Sequence, residues 1–112
     1  MQITIEDKAY LWDIVDACSD IMEFTKDRSF SEFANDKMCR FAVERQLLVI
    51  GEACKKLSRT AKAYFPSIEW PKIIGLRNII AHEYGEILTE RIWLIVQDQI
   101  PELYQQLKVY IE

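Results

Sequence analysis

Apolar residues recur along this chain at the intervals of helices. Leu11, Ile14, Val15, Cys18, Ile21 and Met22 fall on one helical face. Thr4 and Asp7 stand three apart just ahead of them, as in a capping box, and the helix is predicted to close near Lys26. Its opposite face carries Asp13, Asp16, Asp20 and Glu23, a row of solvated acids. The polar stretch from Thr25 to Ser31 predicts a loop, with Phe30 and Phe33 folded onto the core in a short turn. Ser31 or Asn35 is placed to cap a second long helix, Met38 to Leu57. That helix is apolar at Phe41, Ala42, Leu48, Val49, Ile50, Ala53, Cys54 and Leu57, a stripe wide enough to predict cover on more than one side. Gly51 within it costs about 1 kcal/mol relative to alanine, which predicts a close backbone contact there. Arg45 and Glu52, seven apart, can turn toward a cleft or toward solvent.

From Ser58 to Pro71 the periodicity lapses, with one turn of helix expected at Arg59 to Tyr64. Trp70-Pro71 reads as a helix entry, since proline is tolerated in the first turn, and a helix is predicted from Pro71 to about Tyr84. Gly85 marks its expected stop. Thr89 is placed to cap a last helix with Ile92, Val96, Ile100, Leu103, Leu107 and Tyr110 on one side. Pro101 inside that pattern is expected to kink or divide it. No stretch alternates with period two. The pattern therefore predicts an all-α antiparallel four-helix bundle with a short extra helical turn, residues 1–112 forming one domain.

Composition sharpens this picture. The chain has 112 residues, half of them hydrophobic, which suffices for a core without staples. Cys18, Cys39 and Cys54 are odd in number, lack C-x-x-C spacing and lie in apolar patterns, so they are read as reduced core thiols. Nothing at the N-terminus resembles an export signal, and no run approaches the roughly 18 apolar residues of a membrane span. A cytoplasmic protein with no membrane partner is expected. The net charge of −4 is unevenly distributed. Residues 1–36 hold nine acids and three bases, 37–77 nine bases and three acids, and 78–112 six acids and two bases. The basic third runs into the segment of greatest chemical interest, as would suit a polyanion confined to one groove. Alternatively Lys55, Lys56, Arg59 and Lys62 are a solvated helix end complementing its dipole.

That segment is Leu76-Arg77-Asn78-Ile79-Ile80-Ala81-His82-Glu83-Tyr84-Gly85, which holds the only histidine. One histidine and three scattered cysteines cannot supply the usual tetrahedral metal set from one chain. Phosphate-cradling glycine loops and a nucleophile elbow are absent from the sequence. Histidine and arginine together suit attack of a ribose 2′-hydroxyl on the adjacent phosphate, one moving protons and the other matching charge on the phosphoryl oxygens. No cofactor is expected. Asn78 shares a helical face with His82 and can orient the imidazole or the phosphate. In one straight helix, however, His82 points about 140° away from Arg77. Either the helix frays before His82, or a second copy of the chain completes the site, with Gly75 letting the partner approach.

Arg77-x4-His82-x-Tyr84 matches the R-x4-H-x-Y signature of the HEPN superfamily, and the chain more closely resembles the HepT toxins. The likeness includes Tyr10-Leu11, Ser31 and Asp36, Gly51-Glu52-Ala53, Tyr64-Phe65-Pro66, Trp70, Gly75-Leu76-Arg77-Asn78, Trp93 and Pro101-x-Leu103. The resemblance implies a small helical ribonuclease toxin that dimerises, with Arg77, His82 and Asn78 at a composite cleft that cleaves RNA. It also implies an MntA-like nucleotidyltransferase as antitoxin, transferring AMP to Tyr84. A competing expectation is a catalytically inactive module that docks the nucleotidyltransferase and assists nucleotide binding.

Overall fold

The computed structural model describes residues 3–111. Among them are seven helices and no strand: α1 (Ile5–Thr25), α2 (Phe30–Ala34), α3 (Lys37–Lys56), α4 (Arg59–Tyr64), α5 (Trp70–Ile74), α6 (Leu76–His82) and α7 (Gly85–Ile111). The bundle has four principal positions, filled by α1, α3, α7 and the α5–α6 pair. Helices α2 and α4 are short turns in the connections.

Helix α1 starts where the capping box was expected. Thr4 Oγ1 accepts from the Asp7 amide at 3.0 Å, and Asp7 Oδ2 accepts from the Thr4 amide at 3.3 Å. The expected face, Leu11, Ile14, Val15, Cys18 and Ile21, is buried. Asp7 is buried too, although charged, because its carboxylate also receives the Ser58 amide at 2.9 Å and the Ser58 hydroxyl at 2.7 Å. Farther along, Gln46 donates to Asp20 at 3.0 Å and the Cys39 thiol meets the Phe24 carbonyl at 3.5 Å. These three ties pair the start of α1 with the end of α3 and the end of α1 with its start, so the two helices run antiparallel. Asp20 is accordingly a tie between helices and not simply one of a row of solvated acids.

Helix α3 is touched by α1, α2, α5 and α6, as its wide stripe predicted. The residues it buries match expectation in part: Ile50, Ala53, Cys54 and Leu57 are buried, and Cys39, Val43 and Leu47 join them, whereas Phe41 is 52% exposed. Cys39, Val43, Leu47, Ile50 and Cys54 recur at helical spacing, and Phe41, off that stripe, is partly covered by cations, with Lys37 Nζ 5.6 Å and Arg40 Cζ 5.9 Å from its ring centre. Its cap is Asp36, accepting from the Cys39 amide at 3.0 Å, and neither Ser31 nor Asn35. Ser29 caps α2 instead. At Gly51 a Cβ would stand 3.8 Å from the carbonyl oxygens of Ile73 and Ile74, so the end of α5 rests on the backbone of α3. A Cβ at that distance is in ordinary van der Waals contact, so the neighbour expected at this glycine is present but not so close as to require glycine.

Three boundaries differ from expectation. The helix predicted from Pro71 to Tyr84 is interrupted at Gly75, where a Cβ would lie only 3.3 Å from the Pro71 carbonyl oxygen. The last helix begins at Gly85, four residues before Thr89, because Gly85 at φ +62° turns the chain directly into it. The Thr89 hydroxyl donates back to the Gly85 carbonyl at 3.1 Å inside the helix instead of capping it. Nor does Pro101 divide α7. It forfeits one backbone hydrogen bond, but buried Ile100 and Leu103 beside it hold both halves in the core.

All three cysteines are free and buried, and burial pushes the thiols of Cys18 and Cys54 up to about 12. They behave as small apolar fillers.

Burial raises the Asp7 carboxyl, but the hydrogen bonds from Ser58 and Thr4 outweigh it and hold the group below its ordinary 3.8. A depressed folded pKa contributes stability that is fully present above the unfolded value and lost as the pH falls through the folded one. Asp7→Asn is expected to cost about 1–3 kcal/mol near neutral pH. In urea titrations at several pH values, the gap from the wild type should hold down to about pH 5 and shrink below 3.8. A gap independent of pH would contradict the role of the charge.

Candidate active site

Helix α6 has seven residues, two turns, and is seated by its apolar side chains. Leu76 is buried, Ile79 and Ile80 are half-buried, and the helix packs on α3. The polar positions between them face outward, so that Arg77, Asn78, Ala81 and His82 are all exposed. The helix is regular to its end: Glu83 donates its amide to the Ile79 carbonyl at 3.1 Å and is the C-cap. It therefore does not fray before His82, and the angular gap of about 140° between side chains five apart persists.

Arg77 turns toward α3. Its Nη1 donates to Glu52 Oε1 at 2.6 Å, with the two side chains 58% and 43% exposed. A pair so open to water contributes about 0–1 kcal/mol to folding. Only one of the five guanidinium N–H donors is used in that bond, leaving the others available for an anion. Glu52 and Arg45 both line a concavity of about 240 Å³ between α1 and α3, together with Tyr10, Asp13, Leu48 and Lys56. Both residues border this concavity and are also open to solvent, Arg45 being exposed and Glu52 half-buried, so the two alternatives are not exclusive. Sequence reading did not find the Arg77–Glu52 contact, since its partners lie 25 residues apart. The only signal was the polar Glu52 on a helix otherwise apolar there.

His82, on the last turn, is exposed and directed away from that contact. Among the described residues Asn78 and His82 form no side-chain hydrogen bond with each other, so within one chain Asn78 does not orient the imidazole. Glu83 turns inward, its Oε1 taking a hydrogen bond from Arg91 Nη1 of α7 while Oε2 is buried without a partner. Its charge is thus matched by Arg91 and does not face the same way as His82. Tyr84 lies outside either helix, in the turn before Gly85, and is 79% exposed. The helix predicted to reach Tyr84 stops short of it, since α6 ends two residues earlier.

About two turns into α7, Trp93 packs against Phe33 at 5.1 Å and Phe30 at 6.1 Å between ring centres, which seats α7 on α2. Of the basic residues upstream, Lys55, Lys56 and Arg59 are exposed and Lys62 is half-buried. Lys56 lies over Tyr10, its Nζ 5.9 Å from the ring centre. Among the described residues no group of three or more His, Cys, Asp or Glu is placed to hold a metal ion, and no helix is long and apolar enough to cross a membrane.

Comparison with known proteins bears on these residues. The family model "Ribonuclease HepT-like" matches residues 14–110. A Methanocaldococcus jannaschii protein bearing the name "Putative RNase" is 39% identical over 102 residues, 91% of this chain and 94% of that protein. A "Probable ribonuclease HepT" of Thermococcus cleftensis is 38% identical over 96 residues, 86% of this chain and 87% of the relative. A "Putative RNase" of Caldanaerobacter subterraneus is 32% identical over 105 residues, 94% of each chain. No solved structure matches the chain with significance.

Proposed function

Since the chain belongs to the HepT-like ribonuclease family and is a ribonuclease, we propose that it is the toxin of a toxin-antitoxin pair, a metal-independent endoribonuclease whose site is shared between two copies. The observation that carries this is the exposure of Arg77 and His82 on one short helix that cannot aim both at one phosphate. A two-fold axis beside α6 would bring the His82 of one copy toward the Arg77 of the other. Exposed Tyr84 and Ile87 continue the same surface.

In this reaction the 2′-oxygen attacks the neighbouring phosphorus, forming the 2′-O–P bond as the P–O5′ bond breaks. One His82 accepts the 2′ proton and the His82 of the second copy donates a proton to the departing 5′ oxygen. Arg77 stabilises the charge that grows on the non-bridging oxygens. Asn78, exposed one residue from Arg77, holds substrate phosphate. The products are a 2′,3′-cyclic phosphate and a 5′-hydroxyl. The inward turn of Glu83 onto Arg91 supports this assignment, because it removes one acid from the path of the RNA.

Regulation follows from the turn at Tyr84. An MntA-like nucleotidyltransferase would transfer AMP from ATP to the exposed phenol, forming the Tyr84 oxygen–phosphorus bond and releasing pyrophosphate. The added charge and bulk beside His82 would oppose RNA by repulsion and by volume.

His82→Ala is expected to lower cleavage ~10² to 10⁴-fold, and Arg77→Ala ~10² to 10³-fold, with wild-type cutting unaffected by EDTA. Cleavage that survives His82→Ala but stops in EDTA would refute the chemistry, as would continued cutting at a 2′-deoxy scissile position. For regulation, co-expression with a nucleotidyltransferase of this kind should add one or more AMP masses that vanish in Tyr84→Phe. A Tyr84→Phe chain neutralised as fully as the wild type would show that docking alone silences it.

A further inference from the structure

We propose that Glu52 is the positioning residue for Arg77: its carboxylate fixes the guanidinium on the α3 side of the cleft while leaving the remaining N–H donors free for the scissile phosphate. This rests on the assignment of Arg77 to catalysis and extends it to a residue on another helix.

The contact is set by the scaffold and not by its own strength. Gly51, immediately before Glu52, carries the end of α5 on its backbone, with the Ile73 and Ile74 carbonyl oxygens 3.8 Å from where a Cβ would be. Arg77 follows Ile74 by three residues, and buried Leu76 anchors the first turn of α6 beside it. The end of α5 therefore lies beside α3 one residue away from the ion pair. Given that placement, Arg77 Nη1 meets Glu52 Oε1 at 2.6 Å even though both side chains are about half exposed.

An unrestrained arginine on a solvent-facing helix samples many rotamers, and each must be given up when the phosphate binds. A carboxylate bound to one end of the guanidinium biases it beforehand toward the rotamers that face α3, an effect as modest as the exposure of the pair allows. The same carboxylate is a negative charge close to where a phosphate must sit, so it opposes substrate binding. Glu52 is thereby expected to raise kcat and to raise KM, a combination that a merely structural residue would not give.

The test is steady-state cleavage of a fluorogenic RNA by the full chain carrying Glu52→Gln, Glu52→Ala or Arg77→Ala, with urea unfolding midpoints measured alongside. Glu52→Gln keeps an oxygen that can accept from Nη1 but loses the charge. It should keep kcat near the wild-type value and lower KM. Glu52→Ala should lower kcat ~3 to 5-fold without raising KM, at an unchanged midpoint. A Glu52→Ala chain with wild-type or higher kcat overturns the proposal, the higher value meaning that Glu52 restrains Arg77 instead of presenting it. Equal losses in the alanine and glutamine variants overturn it as well. Arg77→Ala separates the two levels of the argument. If that variant retains full turnover, the catalytic assignment of Arg77 fails, whereas an inactive Arg77→Ala beside a fully active Glu52→Ala sinks only the role of Glu52.

Discussion

An α-helix turns about 100° per residue, so two side chains five positions apart on it diverge by about 140°. Arg77 and His82 are so spaced, and α6 is helical from Leu76 to His82 inclusive. This constraint governs the rest of the account. The two side chains leave the helix in different directions, and the local remedy, unwinding before His82, is not what the chain does. What the fold supplies is a short helix with a buried apolar underside and an outer surface left free for another molecule.

The scaffold explains why that helix is short and where it lies. Gly75 ends α5 in a turn where a Cβ would be crowded by the Pro71 carbonyl oxygen, and Gly85 at φ +62° starts α7. Between these glycines α6 has room for two turns. Its base is fixed by the close approach of α5 to Gly51 of α3, and its far end by Glu83 reaching Arg91. The antiparallel α1–α3 pair, tied at Asp7–Ser58 and Asp20–Gln46, makes α3 a rigid platform beneath both. The polar groups of the site thus stand on backbone contacts, and an exposed ion pair between Arg77 and Glu52 needs no strength of its own to be well placed.

How much of this was legible in the sequence differed from helix to helix. In α1 the apolar stripe stands opposite a row of acids, and Leu11, Ile14, Val15, Cys18, Ile21 and the capping box are readable directly. In α3 the buried stripe of Cys39, Val43, Leu47, Ile50 and Cys54 recurs at helical spacing, but the unbroken apolar run from Leu47 to Ile50 blurs its edge, and Phe41, half exposed, is favoured over Val43 and Leu47. Glycine was the ambiguous letter. Gly51 does lie beside α5, though at an ordinary contact distance, and Gly85 reads equally as the end of one helix or the start of the next, so that only the fold shows that α7 begins there. The helix expected to reach Tyr84 ends two residues earlier. The candidate site residues come from the signature, whereas the Glu52–Arg77 contact spans 25 residues and depends on tertiary register that no local pattern encodes.

The claim that two copies share one site is tested most directly by a dimer with one wild-type and one His82→Ala chain, each carrying a different affinity tag and purified over both. If acid and base come from the two copies, removing one histidine disables the whole site, and the mixed dimer should retain no more than ~1% of wild-type cleavage. Cleavage near one half of the wild-type value would show that each chain works alone and would contradict the shared site.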